Sequence, residues 1–148
     1  MHPPTRTLLA DGAAATKTQA AGWTRLIEAH ELARKRFSER AIQAAEALKR
    51  RHEIERRPPS RARISAQLEH AERLAAAERE ELRAEAEADR AHEEMMRLER
   101  LALSRPATSP ASFQFKLSLL AEGSMEGREQ EWRIFLADCA RLGGQPRW

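Results

Sequence analysis

The sequence predicts an all-α protein, an elongated chain in which two long helices are separated by a proline pair, Pro58-Pro59, and followed by a short amphipathic helical region. The composition supports this class, since 33% of the 148 residues are charged and only 5% are aromatic. A chain rich in alanine, glutamate, arginine and leucine is typical of long helices. Because each alanine buries little apolar area, at about 25 cal/mol per Å², we expect no compact globular core and a partner surface that supplies much of the order.

Two segments precede the proline pair. Residues 1–22 contain Pro3, Pro4 and Gly12, which favour an extended N-terminal arm. Residues 23–57 are predicted to form helix A, because apolar residues recur there at spacings of three and four and therefore share one face. These residues are Trp23, Leu26, Ile27, Ala33, Phe37, Ala41, Ala44 and Leu48.

Pro58-Pro59 is expected to interrupt the helix and to give a break over residues 58–60. Proline lacks an amide hydrogen and clashes with the preceding turn, at a cost of about 3 kcal/mol in a helix interior. Its ring also disfavours helical geometry at Arg57, the residue before the pair. Ser60 is a suitable cap for the helix that follows.

Residues 61–103 are predicted to form helix B, a long charged helix. One face carries a seam with the heptad-like spacing of a coiled coil, built largely of alanine. Such a seam allows close approach to another helix or to a flat surface, but it contributes less per residue than leucine or isoleucine would. Its positions are Leu74, Ala77, Glu81, Ala84, Ala88, Ala91, Met95, Leu98 and Ala102.

The rest of the chain is divided into a linker, residues 104–112, and a C-terminal helical docking segment, residues 113–148. The apolar residues after Phe113 fit either a strand or one helical face, and Pro110 favours a short helix that ends at Gly123. A later apolar stripe, which runs from Trp132 to Leu142, predicts an amphipathic helix. Tryptophan is enriched at interface hot spots, so we expect this stripe to dock on a partner, with packing against helix A as the alternative. The candidate docking residues are Trp132, Phe135, Leu136 and Trp148.

Charge is unevenly distributed along the chain, although the formal net charge is only +3. Residues 49–63 hold seven basic side chains and two acidic ones, whereas residues 78–100 hold nine acids and five arginines. We call the basic group the basic elbow and expect it to contact an acidic partner. Its residues are Lys49, Arg50, Arg51, Arg56, Arg57, Arg61 and Arg63.

The partner of the basic elbow is left open among three alternatives. It could be an acidic protein surface or nucleic-acid phosphates, and the third alternative is solvated charge beside a turn. Aromatic side chains that could stack on bases are missing nearby, Phe37 being the nearest. Nucleic acid is therefore less favoured than protein.

The patterns that catalysis or cofactor binding requires are missing from the sequence. The glycines are few and scattered, so there is neither a phosphate loop nor a dinucleotide fingerprint. No two histidines lie four residues apart and Cys139 is the one cysteine, which argues against a zinc site. We predict no enzymatic activity, no cofactor and no metal. Since no run of about 18 apolar residues occurs, we also predict no membrane partner.

Between Arg56 and Ala102 the chain resembles the small microtubule inner proteins of cilia and flagella, of the cilia- and flagella-associated protein 141 kind. Arg56-Arg57-Pro58-Pro59 resembles their arginine pair with a turn, a long charged helix follows, and Glu94-Met95-Met96-Arg97-Leu98 resembles their closing motif. Two positions depart from that pattern. Ala91 or His92 stands where an aromatic residue is usual, and Glu99 stands where glycine is usual.

The resemblance implies a structural protein that binds tubulin and neighbouring axonemal proteins inside the doublet microtubules of a cilium or flagellum and stabilises them. A basic elbow suits the acidic surface of tubulin, and a long helix with an alanine seam suits a position along a cytoskeletal lattice. The alternative is an accessory helical subunit of a large organellar assembly, such as a mitochondrial ribosome or ATP synthase, or an RNA-associated basic helical protein. The expected location would then be the mitochondrion.

Overall fold

The computed structural model describes residues 6–123 and 128–143, with side chains at 17–123 and 128–142. It contains four helices in these ranges: α1 (Arg6–Glu55), α2 (Ile64–Ser104), α3 (Pro110–Glu122) and α4 (Glu129–Gly143). The predicted all-α class, with two long helices on either side of Pro58-Pro59 and shorter helices after them, is confirmed. The expectation of an elongated chain without a compact globular core stays a prediction.

The predicted N-terminal arm is wrong for residues 6–22, because α1 already begins at Arg6. This stretch holds six alanines, the strongest helix formers, and a single interior glycine such as Gly12 costs only about 1 kcal/mol. Pro3 and Pro4, which suggested an extended chain, lie outside the described residues.

The other helix ends differ from the prediction by a few residues. α1 ends at Glu55, two residues before the predicted end, because Pro58 and Pro59, which lack an amide hydrogen, stop the helix ahead of them. The last turn closes with Arg56 N donating to His52 O at 3.0 Å. The linker after α2 is shorter than predicted, since α3 already begins at Pro110.

The chain forms two units, which we describe separately. The elbow unit comprises residues 32–96, and the terminal unit comprises residues up to 31 and from 97 onward. In the elbow unit, α1 and α2 lie antiparallel, since contacts that advance along α1 retreat along α2. The Phe37 ring lies 4.9 Å from the His92 ring, and Arg50 Nη2 donates to Glu80 Oε1 at 2.6 Å.

The predicted seam of helix B matches the burial of α2, since all nine of its positions are buried or half-buried. On α1 the prediction is right at Trp23, Leu26 and Ala33, which are buried, and wrong at Leu48, which is 36% exposed. Ala47 is buried in its place. The buried and half-buried positions of α1 recur at steps of three and four, close to the 3.5-residue period of a heptad seam, and this period reaches residue 47 rather than 48.

In the terminal unit, Trp23 is a large buried side chain of α1, and its indole Nε1 donates to Pro106 O at 3.2 Å. His30 is also buried, with Nε2 3.2 Å from Glu99 Oε1 and its ring edge-on to Phe115 at 5.2 Å. These contacts join α1, the end of α2, the linker and α3, so the terminal unit is a small helical core in its own right.

A buried polar cluster fixes the linker between α2 and α3. The Lys116 ammonium donates to Arg105 O at 2.6 Å and to Asp138 Oδ2, and Lys116 is fully buried. Asp138 Oδ1 accepts from Ala107 N at 3.2 Å and from Arg141 Nη2 at 3.0 Å. Because a buried charge costs several kcal/mol unless it is paired, this cluster holds α3, α4 and the linker in one arrangement.

Helix α3 begins with a capping box. Ser109 Oγ accepts from Ser112 N at 3.1 Å, and Ser112 Oγ accepts from Ser109 N at 2.9 Å. Each bond satisfies an amide that the first turn of a helix otherwise leaves without a partner. Together with Pro110 at the first helical position, the box sets the point where the linker ends.

Replacing Ser109 by alanine should lower the free energy of unfolding by about 1 kcal/mol, because Ser112 N loses its acceptor. Thermal unfolding followed by circular dichroism measures the loss. Ser118→Ala is the matched control, since the Ser118 hydroxyl only donates to Phe115 O within the exposed face of the same helix. Equal losses for the two variants would contradict the capping role.

Candidate functional site

The basic elbow lies at the turn that joins α1 to α2 in the elbow unit. Arg57 N donates to Ile54 O at 3.2 Å, and the chain then leaves the helix at the two prolines. Ser60 Oγ accepts from Ala62 N at 3.4 Å, and Gln67 Nε2 donates to Arg61 O at 3.0 Å. The turn is therefore held by its own polar groups and ends in the first residues of α2.

Two of the seven elbow residues form ion pairs inside the elbow unit. Arg50 is bound to Glu80, and Arg51 Nε lies 3.0 Å from Glu81 Oε2 and 3.6 Å from Glu55 Oε1. Glu81 is buried on the α2 seam, so the Arg51 contact compensates a carboxylate that has left water. Arg50 and Arg51 therefore contribute to the pairing of the two helices.

The other five elbow residues have exposed side chains and make no ion pair with any residue that the structure describes. They lie on both sides of the proline pair, at the end of α1 and in the connection to α2. Five unpaired cations this close together raise the local positive potential and attract anionic groups. The free residues are Lys49, Arg56, Arg57, Arg61 and Arg63.

A cleft of about 410 Å³ opens beside the elbow. Its lining comes from the last turns of α1, from Arg57 and from the first turns of α2: Arg50, Glu53, Ile54, Arg57, His70 and Arg73. Sequence analysis missed His70 and Arg73, because they follow the elbow by several residues. They approach it only when α2 folds back along α1.

The predicted C-terminal docking residues separate into inward and outward positions on α4. Phe135 is 6% exposed, its ring stacks on Phe113 of α3 at 4.9 Å, and the Trp132 ring stands edge-on to it at 5.8 Å. Leu136 is 60% exposed. Trp148 lies outside the described residues.

Phe135 is therefore packed within the terminal unit, whereas a docking role for Phe135, Trp132 and Leu136 stays a prediction. The alternative of packing against helix A also stays a prediction. The Leu136 side chain remains accessible on α4.

The buried Lys116–Asp138 pair is the strongest polar feature that sequence analysis missed. Lysine and aspartate are mostly exposed in proteins, so a sequence pattern gives no reason to place either inside. The partners are 22 residues apart on different helices. One weak signal is that Lys116 falls on the same helical face as the apolar residues Leu119 and Leu120.

In the ranges with described side chains, no group of three or more histidine, cysteine, aspartate or glutamate residues is arranged to hold a metal ion. None of the described helices is both long enough and apolar enough to cross a membrane.

Comparison with known proteins leaves the chain without an assigned family. No protein-family model, no curated protein and no solved structure matches it.

Proposed function

We propose that this protein is a non-catalytic structural protein that docks on an acidic protein lattice through the basic elbow, and that the lattice is tubulin inside axonemal doublet microtubules. The observation that carries the proposal is the group of five elbow cations without an ion-pair partner among the described residues. The choice of tubulin rests in addition on the resemblance of Arg56-Arg57-Pro58-Pro59 and of the closing motif to small microtubule inner proteins.

The arrangement of the elbow charges supports docking on a partner better than a role limited to holding α1 and α2 together. Arg50 and Arg51 already hold the two helices together through carboxylates of α2. The remaining five cations add repulsion at the turn, and an acidic surface relieves it. A single exposed ion pair contributes about 0.2–1 kcal/mol, so useful affinity requires several of them to act together.

Co-sedimentation with polymerised tubulin tests the proposal. The full chain should pellet with microtubules at about 50 mM salt and less at about 300 mM, because salt screens exposed charges. The elbow variant replaces Arg56, Arg57, Arg61 and Arg63 by glutamine. We expect this variant to bind microtubules at least about tenfold more weakly, because it loses a few exposed ion pairs with the partner.

The matched control removes the same number of charges elsewhere in the elbow unit. It replaces Arg36, Arg79, Arg83 and Arg90 by glutamine; these exposed side chains also lack an ion-pair partner within the described part of the chain. The control should keep most of the binding. Failure of the unmodified chain to pellet at low salt would overturn the proposal, as would equal losses in both variants or retention on RNA with no retention on microtubules.

A further inference from the structure

The cleft beside the elbow is positively charged, and one of its arginines, Arg73, is not an elbow residue. Three of its six lining residues are arginines, Arg50, Arg57 and Arg73, and Glu53 is the one acid among them. Arg50 is held by Glu80 at 2.6 Å. Arg57 and Arg73 are exposed and have no ion-pair partner in the part of the chain that the structure describes.

Two unpaired guanidinium groups that line one depression repel each other, and an anion placed between them removes that repulsion. Guanidinium presents parallel N–H donors that match the two oxygens of a carboxylate. Ile54 supplies an apolar contact in the same lining, which suits the methylene groups of a glutamate side chain. Apart from the His70 imidazole, the lining holds no aromatic ring on which a nucleic-acid base could stack.

We infer that this cleft is a binding site for an acidic peptide segment of the partner, and that Arg57 of the turn and Arg73 of α2 grip a glutamate or aspartate side chain. The inference rests on the proposed function, because it names the chemistry that the elbow recognises. At about 410 Å³ the cleft is larger than a single carboxylate requires, so it accommodates neighbouring residues of the segment as well. Arg73 becomes a specificity residue of the site, although it lies outside the basic elbow.

Fluorescence anisotropy with a fluorescein-labelled decaglutamate peptide tests the site on the full chain. The expected result is salt-sensitive binding that Arg57→Gln and Arg73→Gln each weaken about threefold to fivefold, the scale of one exposed ion pair. Arg79→Gln is the matched control and should leave the affinity unchanged, since Arg79 is an exposed arginine of α2 outside the cleft. Circular dichroism of each variant confirms that the helices are intact.

Three results would overturn the inference: no binding of decaglutamate, unchanged binding in Arg73→Gln, or an oligouridylate of equal charge that binds as tightly and with the same sensitivity to Arg73. The proposed function fails in a different way. If the elbow variant loses microtubule binding while Arg73→Gln still binds decaglutamate fully, the proposed function stands and the cleft inference fails. If the chain binds decaglutamate through Arg73 but does not bind microtubules, the cleft inference stands and tubulin is not the partner.

Discussion

Replacing Asp138 by alanine is expected to lower the free energy of unfolding of the terminal unit by about 3–5 kcal/mol, the usual cost of removing one partner of a buried ion pair. Lys116 is 0% exposed and Asp138 is 2% exposed, so the lysine charge would stay buried without a carboxylate to pair with it. The Ala107 amide would lose its acceptor as well. Urea denaturation measures the loss, and hydrogen exchange should show it in α3 and α4.

Two controls separate the buried pair from a general effect of charge. Asp89→Ala removes an exposed carboxylate that has no ion-pair partner in the described chain, and it should change stability by less than about 0.5 kcal/mol. The double variant Lys116→Met with Asp138→Leu should be more stable than Asp138→Ala, because no charge is left buried. A loss below about 1 kcal/mol in Asp138→Ala would show that the cluster is not holding the linker.

Replacing Trp23 by alanine is the second change with a large expected effect, a loss of about 3–5 kcal/mol. The Trp23 side chain is 4% exposed, and its truncation leaves a cavity where α1 meets the linker. Trp23→Phe should cost less, because the smaller ring still fills most of the space while the bond to Pro106 O is lost. Thermal unfolding and urea denaturation measure both variants.

Leu32→Ala provides the comparison for Trp23, since Leu32 is a large apolar side chain of α1 that is half exposed. It should cost well under half as much as Trp23→Ala, because less apolar area leaves contact with protein. If the two variants were equally destabilised, Trp23 would not be a core residue of the terminal unit.

The helices could be predicted from the sequence because the information that defines them is local. Apolar spacing identified the α2 seam, and Pro58-Pro59 located the break between the long helices. The arm prediction is wrong for residues 6–22 because the helix preference of the alanines around Gly12 outweighs the cost of that glycine. Leu48 was misplaced for a related reason, since the exact period of a seam depends on the helix that covers it.

The candidate site could be predicted only in part, because side-chain pairing depends on tertiary structure. The charge count located the basic elbow, but it could not show that Arg50 and Arg51 pair with α2 carboxylates while Arg57 has no ion-pair partner among the described residues. Arg73 joins the site only through the antiparallel return of α2. Phe135 looked like a docking residue because nothing in the sequence indicates that Phe113 covers it.

The elbow contact with microtubules is tested most directly by zero-length carbodiimide cross-linking, which joins a lysine amine to a carboxylate in direct contact with it. Among the four lysines of the chain, Lys49 lies in the elbow, Lys17 and Lys35 are exposed elsewhere on α1, and Lys116 is buried. We expect more cross-links to tubulin carboxylates from Lys49 than from Lys17 and Lys35, and we expect the Lys49 cross-links to decline in the elbow variant. Cross-links from Lys35 or Lys17 without any from Lys49 would contradict the elbow contact.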